Sequence, residues 1–143
     1  MELDSIPAYS GFLGRQFGHA YNEAAFWHFL AVDRRRARRS KRSLLMVLVA
    51  VRQSPGRPAT LTDATATALF RGLSASVRDV DFVGWYRENQ VAAAVLALGV
   101  NASDEVRPLI AERVIPALRK RLSGDHSRNV RVRVVRLSGL AGA

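Results

Sequence analysis

The residues best suited to chemistry fall in one short segment, 79–95, which reads DVDFVGWYRENQVAAAV. Two apolar runs flank a polar tip, Arg87-Glu88-Asn89-Gln90. Enzymes often place catalytic carboxylates at such a tip, where they serve as acid, base or metal ligand. This tip offers a single acid, Glu88. Elsewhere the signals for chemistry are thinner. His19, His28 and His126 are scattered without ligand spacing, and His28 among aromatics reads as packed or capping rather than metal-bound. No glycine-rich phosphate loop is present: Gly14–Gly18 follows no strand, and Pro55–Arg57 is too short. Ser, His and Asp residues occur, but nothing in the sequence groups them. Trp85 and Tyr86 precede the tip on neighbouring positions, hence on opposite faces of a strand. One reads as core; the other either packs as well, the expected outcome, or offers an aromatic contact to a partner or a base.

The bulk composition narrows the classes. The chain has 143 residues, one domain of ordinary size, and 48% of them are apolar, enough for a real core. It has no cysteine, which excludes disulfides, thiolate metal sites and a cysteine nucleophile. No apolar run approaches the roughly 18 residues that span a bilayer. The longest is Leu44–Val51, and Glu2 and Asp4 at the start are unlike a signal peptide. The expectation is a cytoplasmic protein with no transmembrane segment. The formal charge is +10, and a field of that sign favours anionic partners. Only two of the 22 basic residues are Lys, which also fits an arginine-rich proteome. The strongest charge feature is Arg34, Arg35, Arg36, Arg38, Arg39, Lys41 and Arg42. Such a run grips nucleic acid, a membrane surface or an acidic protein, or else forms a solvated face.

These residues are positioned by a readable order of elements. Residues 1–20 show no period and read as a flexible or draped N-terminal arm. Asn22 caps a helix with Phe26, Leu30, Asp33 and Ala37 at helical spacing, and the basic run closes it. Leu44–Val51 is a strand buried on both faces. Pro55-Gly56-Arg57-Pro58 is a turn, and Thr62 or Thr60 caps a second helix whose stripe is Ala66, Leu69, Phe70, Leu73 and Val77. Phe82–Tyr86 and Val91–Leu98 pair through the polar tip, where Asn89 tolerates positive φ. Ser103 caps a third helix with Val106, Ile110, Val114, Ala117, Leu118 and Leu122 inward, kinked at Pro116. Val130–Leu137 alternates Val with Arg, as a basic-faced edge strand does. The last residues, 139–143, look frayed. After the leading helix the order is strand, helix, strand, strand, helix, strand. This is an α+β, ferredoxin-like βαββαβ sheet with two helices on one face. The N-terminal helix would pack beside the sheet or reach outward to dimerise.

This order and its local sequence resemble the GGDEF domain of diguanylate cyclases. The resemblance runs from about Tyr21 to Leu137, within a domain spanning 21–138. It rests on the helix-to-strand stretch DRRRARRSKRSLLMVLV, and on Arg78-Asp79-Val80-Asp81 lying five residues before the tip Arg87-Glu88-Asn89-Gln90-Val91. Family members hold divalent metal with carboxylates at the end of the first strand and in the tip. Here the strand ends Val49-Ala50-Val51-Arg52, without an acid. The two tip glycines are Arg87 and Glu88, and the acidic pair is Asn89-Gln90. An amide is a poor ligand for a hard cation and cannot act as a base. Glu88 is one register away from the family's acids, and in a strand such a shift turns a side chain to the other face. The resemblance therefore implies a degenerate, catalytically inactive member with no catalytic residues, no metal and no cofactor.

What the resemblance leaves open is binding. Arg78 and Asp81 are similar to the family's inhibitory site for cyclic di-GMP; the alternative is a structural ion pair or a capping Arg. Asp63 falls where the family places a guanine-contacting Asp, though a carboxylate at a helix start needs no ligand to explain it. Inactive members typically sense a nucleotide or bind a partner protein, and VGWYREN resembles GGDEF-like proteins of bacterial exopolysaccharide and biofilm control. A protein partner or a homodimer is expected, with cyclic di-GMP or another nucleotide as candidate ligand. The competing reading is a ferredoxin-like nucleic-acid-binding module, which ranks lower because Leu44–Val51 and Val91–Leu98 carry no aromatic residue. A third reading, an enzyme with chemistry rebuilt around Glu88, requires nucleotide turnover with magnesium.

Overall fold

The computed structural model describes residues 11–14, 17–54, 57–77, 80–99 and 103–138. Arg78, Asp79 and the C-terminal 139–143 lie outside them.

The chain folds as α1 (Glu23–Ser40), β1 (Ser43–Ser54), β2 (Arg57–Pro58), α2 (Asp63–Ser76), β3 (Val80–Arg87), β4 (Val91–Ala97), α3 (Val106–Arg121), α4 (Gly124–Asn129) and β5 (Val130–Ser138). The long strands lie in the order β5-β1-β4-β3, and every pair of them is antiparallel. This is the split βαβ arrangement expected from the sequence. Strand β2 adds a short pairing at the far end of β1, with Pro58 opposite Arg52. Arg57 and Pro58 were expected to be turn; they are extended because β1 runs past Val51 and offers them an edge.

Each helix follows from its local chemistry. Asn22 caps α1, its side chain accepting the Ala25 N–H at 2.8 Å. Lys41 ends the helix in the left-handed conformation at φ 58°. Thr62, rather than Thr60, caps α2 by accepting from Thr65 N. At α3 the sequence reading is off by a turn. Ser103 Oγ accepts the Glu105 N–H at 3.2 Å, so it orders the preceding turn, and the helix starts at Val106. Helix α3 then continues through Pro116 to Arg121. The short α4 was not foreseen, since GDHSRN has no apolar periodicity and buries no residue.

The sheet is covered on both faces. On one, Leu45, Val47, Val49, Ala92 and Ala94 meet Leu69, Phe70 and Leu73 of α2 and Ile110, Val114 and Leu118 of α3. The two helices approach closely at Gly72, where a Cβ would lie 2.5 Å from Leu118 Cδ2. On the other, Leu44, Met46, Ala93 and Val95 meet Phe26, Leu30 and Ala37. Helix α1 thus packs across the opposite face, neither beside the sheet nor outward, because its Phe26-Leu30-Ala37 stripe has the only large apolar sheet surface left to cover.

The described part of the expected arm is draped on the fold. Ala20 is fully buried, and Leu13 and Phe17 pack on the core. Tyr21 donates to Val83 O at 2.9 Å and accepts from Trp85 N at 3.0 Å, which closes the outer edge of β3. Gly84 makes this approach possible: a Cβ there would sit 2.7 Å from the Tyr21 carbonyl oxygen. Gly84→Val should therefore lose about 1–3 kcal/mol in urea unfolding through backbone displacement. Gly99→Ala, with open space around it, should stay within about 0.5 kcal/mol of wild type.

Candidate functional site

The hairpin tip is a tight turn. Asn89 adopts φ 59°, as expected for a residue that tolerates the left-handed region, and Gln90 N donates to Arg87 O at 3.0 Å. The register of the β3–β4 ladder shifts between Val80 and Phe82 and again between Trp85 and Arg87, as at β-bulges. Trp85 is the core member of the aromatic pair, 3% exposed and 4.8 Å from the Phe70 ring. Tyr86 turns to the other face and lies 4.8 Å from Trp27.

The tip is held from both sides. Trp27 Nε1 donates to Tyr86 O at 3.0 Å, and Glu23 Oε1 accepts the Glu88 N–H at 2.5 Å. From below, Leu61 N donates to Asn89 O at 2.7 Å. Trp27 was not singled out in the sequence, and Glu23 reads there only as the acid of the first helical turn. Trp27 stands next to Phe26 and so falls off the buried stripe of α1, which is the signal that an aromatic on that helix has another task.

Beside the tip, at the end of β1, lies an open depression of about 560 Å³ lined by Leu48, Ala50, Arg52, Arg57, Pro58, Tyr86, Arg87, Val91 and Arg131. Among the described residues, four guanidinium groups line it and no carboxylate does. Glu88 is exposed but is not among the lining residues. Among the described residues, no group of three or more His, Cys, Asp or Glu is placed to share a metal ion.

The structure brings Asp81 to a second cavity, of about 470 Å³, between α1 and the β3–β4 edge. Asp33, Arg36, Arg42, Tyr21, Phe29 and Phe82 line it with Asp81. Asp33 lies 3.9 Å from Arg36. Arg36 and Arg42 thus border this cavity while staying exposed, Arg36 with 76% of its side chain accessible. Arg34 is half-buried with its Nε unpartnered, while Arg35, Arg38, Arg39 and Lys41 are exposed. Asp63 is exposed in the first turn of α2, where a carboxylate suits the helix start.

No family model matches the sequence, and no curated protein matches it. Solved structures do match. A DGC protein from Thermotoga maritima is 18% identical over 85% of this chain and 82% of its own, with a TM-score of 0.59. The FimX GGDEF domain from Pseudomonas aeruginosa is 13% identical over 91% of this chain and 82% of its own, at 0.58. The diguanylate cyclase SiaD from the same organism, in complex with its activator SiaC, is 15% identical over 94% of this chain, at 0.61. This chain spans about half, 52%, of that SiaD chain. At such identities the likeness is one of fold, and the fold is GGDEF-like. No helix of the described residues is long and apolar enough to cross a membrane.

The hold of α1 on the tip can be measured. Trp27→Ala should cost about 1–2 kcal/mol in chemical unfolding, from the ring contact and the hydrogen bond together. Trp27→Phe should keep roughly half of that. Glu23→Ala should speed hydrogen exchange at the Glu88 amide and leave the Leu69 amide in the core unchanged.

Proposed function

We propose that this GGDEF-type fold serves as a catalytically inactive regulatory domain, which binds a nucleotide of the cyclic di-GMP class at the Asp81 cavity and acts through a protein partner. The carrying observation is the depression at the end of β1. Joining two GTP molecules is phosphoryl transfer, and it needs carboxylate-held divalent metal to spread charge on the phosphates. At the place where β1 meets the tip, this chain presents Ala50, Arg52, Arg57, Arg87 and Arg131. Guanidinium groups repel a divalent cation. The backbone is also less accessible than a glycine pair would leave it, because Arg87 and Glu88 both carry side chains.

The nucleotide part of the reading is supported by the Asp81 cavity. Aromatic walls from Tyr21, Phe29 and Phe82 offer stacking surface for a base. Carboxylates at Asp33 and Asp81 accept from guanine N–H groups, and Arg36 and Arg42 suit phosphate. Arg78, three residues before Asp81, joins the set on the family resemblance. A role in bacterial exopolysaccharide or biofilm control follows from the resemblance of VGWYREN and belongs to the same proposal. The nucleic-acid alternative has less support: a sheet-surface RNA reader needs aromatics on an open face. Here Tyr86 packs against Trp27 of α1, and α1 lies across that face of the sheet.

Two measurements test the reading. With GTP and magnesium or manganese, no cyclic dinucleotide should form, and Glu88→Gln should change nothing; metal-dependent product would overturn the inactive assignment. Calorimetric titration with cyclic di-GMP should show binding that Asp81→Ala and Arg78→Ala each weaken by about tenfold or more. Silence with wild type would remove the nucleotide.

A further inference from the structure

The arginines around the tip raise a question that loss of catalysis does not answer. A vacated site drifts toward any solvated surface, yet this one is of a single sign. Arg52, Arg57, Arg87 and Arg131 line one depression, and Arg133 stands next along β5 on the same face as Arg131. In the β1–β5 ladder Arg131 is opposite Ala50 and Arg133 opposite Leu48. Among the described residues none of the five forms a salt bridge, whereas Asp33, Asp104 and Asp125 each pair with a basic residue elsewhere. Between the guanidinium groups lies apolar surface from Leu48, Ala50, Pro58 and Val91. Helix α1 packs on this face against Leu44, Met46, Ala93 and Val95, and among the described residues none of α1 lines the depression.

We propose that this depression is a docking surface for an acidic segment of a partner protein, whose carboxylates meet Arg52, Arg87, Arg131 and Arg133 and whose apolar side chain seats on Leu48, Ala50 and Val91. Charge complementarity identifies the partner: concentrated cations around an apolar floor match an acidic peptide with an apolar residue in its middle. Arg is suited to this because its fork pairs with carboxylates bidentately and sheds water more readily than Lys. A nucleotide phosphate fits less well. Close phosphate binding at a tip uses backbone N–H groups. Here the Glu88 N–H is taken by the Glu23 carboxylate and the Gln90 N–H by Arg87 O. The surface is separate from the Asp81 cavity, since the two share no lining residue. It therefore stands or falls independently of nucleotide binding.

The test is fluorescence anisotropy on the full chain. The probe is a labelled peptide of about twelve residues, rich in Glu and Asp, with two central Leu. Arg87→Glu with Arg131→Glu should weaken binding about tenfold or more at physiological salt. Arg113→Glu with Lys120→Glu, exposed on α3 and away from the depression, should leave it nearly unchanged. Exchanging the two Leu for Ser should weaken the probe several-fold, and a Lys-rich counterpart should bind the Arg87/Arg131 variant in preference to wild type. Circular dichroism and urea midpoints establish that both double variants fold. Equal losses in the two variants, indifference to the Leu exchange, or displacement of the peptide by GTP or a short RNA at comparable concentration would each overturn the proposal. Retained cyclic di-GMP binding in the Arg87/Arg131 variant separates this result from the nucleotide reading.

Discussion

Strand β4 is the member on which the structure depends. Ala92, Ala93, Ala94 and Val95 are all completely buried, and successive residues face opposite helical layers. Small side chains on a central strand let α2 and α3 close from one side and α1 from the other without leaving the strand thick or strained. A larger residue in that run has nowhere to go in either direction. The hairpin tip is the end of this strand, so its position is inherited from two packed layers rather than from the turn alone. Glu23, Trp27 and Leu61 then tie the tip down from both sides.

That rigidity bears on the chemistry. A tip held by backbone bonds to α1 and to the loop before α2 does not depend on a bound metal for its shape. The side chains at the tip and the end of β1 are Arg and amide groups, and they set the sign of the local field. The end of β1 attracts anions and disfavours cations, and the binding potential of the molecule moves with that sign.

Much of the fold was legible in the sequence. The stripes of α1, α2 and α3, the continuous apolar run of β1 and the Val–Arg alternation of β5 each carried their period plainly. The failures have physical causes. Ser103 looks like a helix cap because its oxygen does accept a backbone N–H, but from the turn before the helix. Helix α4 has no buried face, so no periodic signal existed to find. Strand β2 exists only because β1 is long enough to pair with it. The placement of α1 could not be read because its stripe says that it packs without saying on what. The candidate site was half legible: the residues of the tip and the lack of acids at the end of β1 were visible. The gathering of Arg131 with Arg52 and Arg87, and of Asp33 and Arg36 with Asp81, needed the strand register and the path of α1.

The closure of β3 by Tyr21 has a consequence for how copies of this chain can meet. A sheet with two open edges can stack end to end without limit. Here the β3 edge is already occupied by the chain's own backbone at Val83 and Trp85, while β5 lies at the opposite end of the long strands, paired to β1. Association of two copies through the β5 edge would join like to like about a twofold axis. Occupation of Val83 and Trp85 removes one place at which strand addition to this sheet can begin.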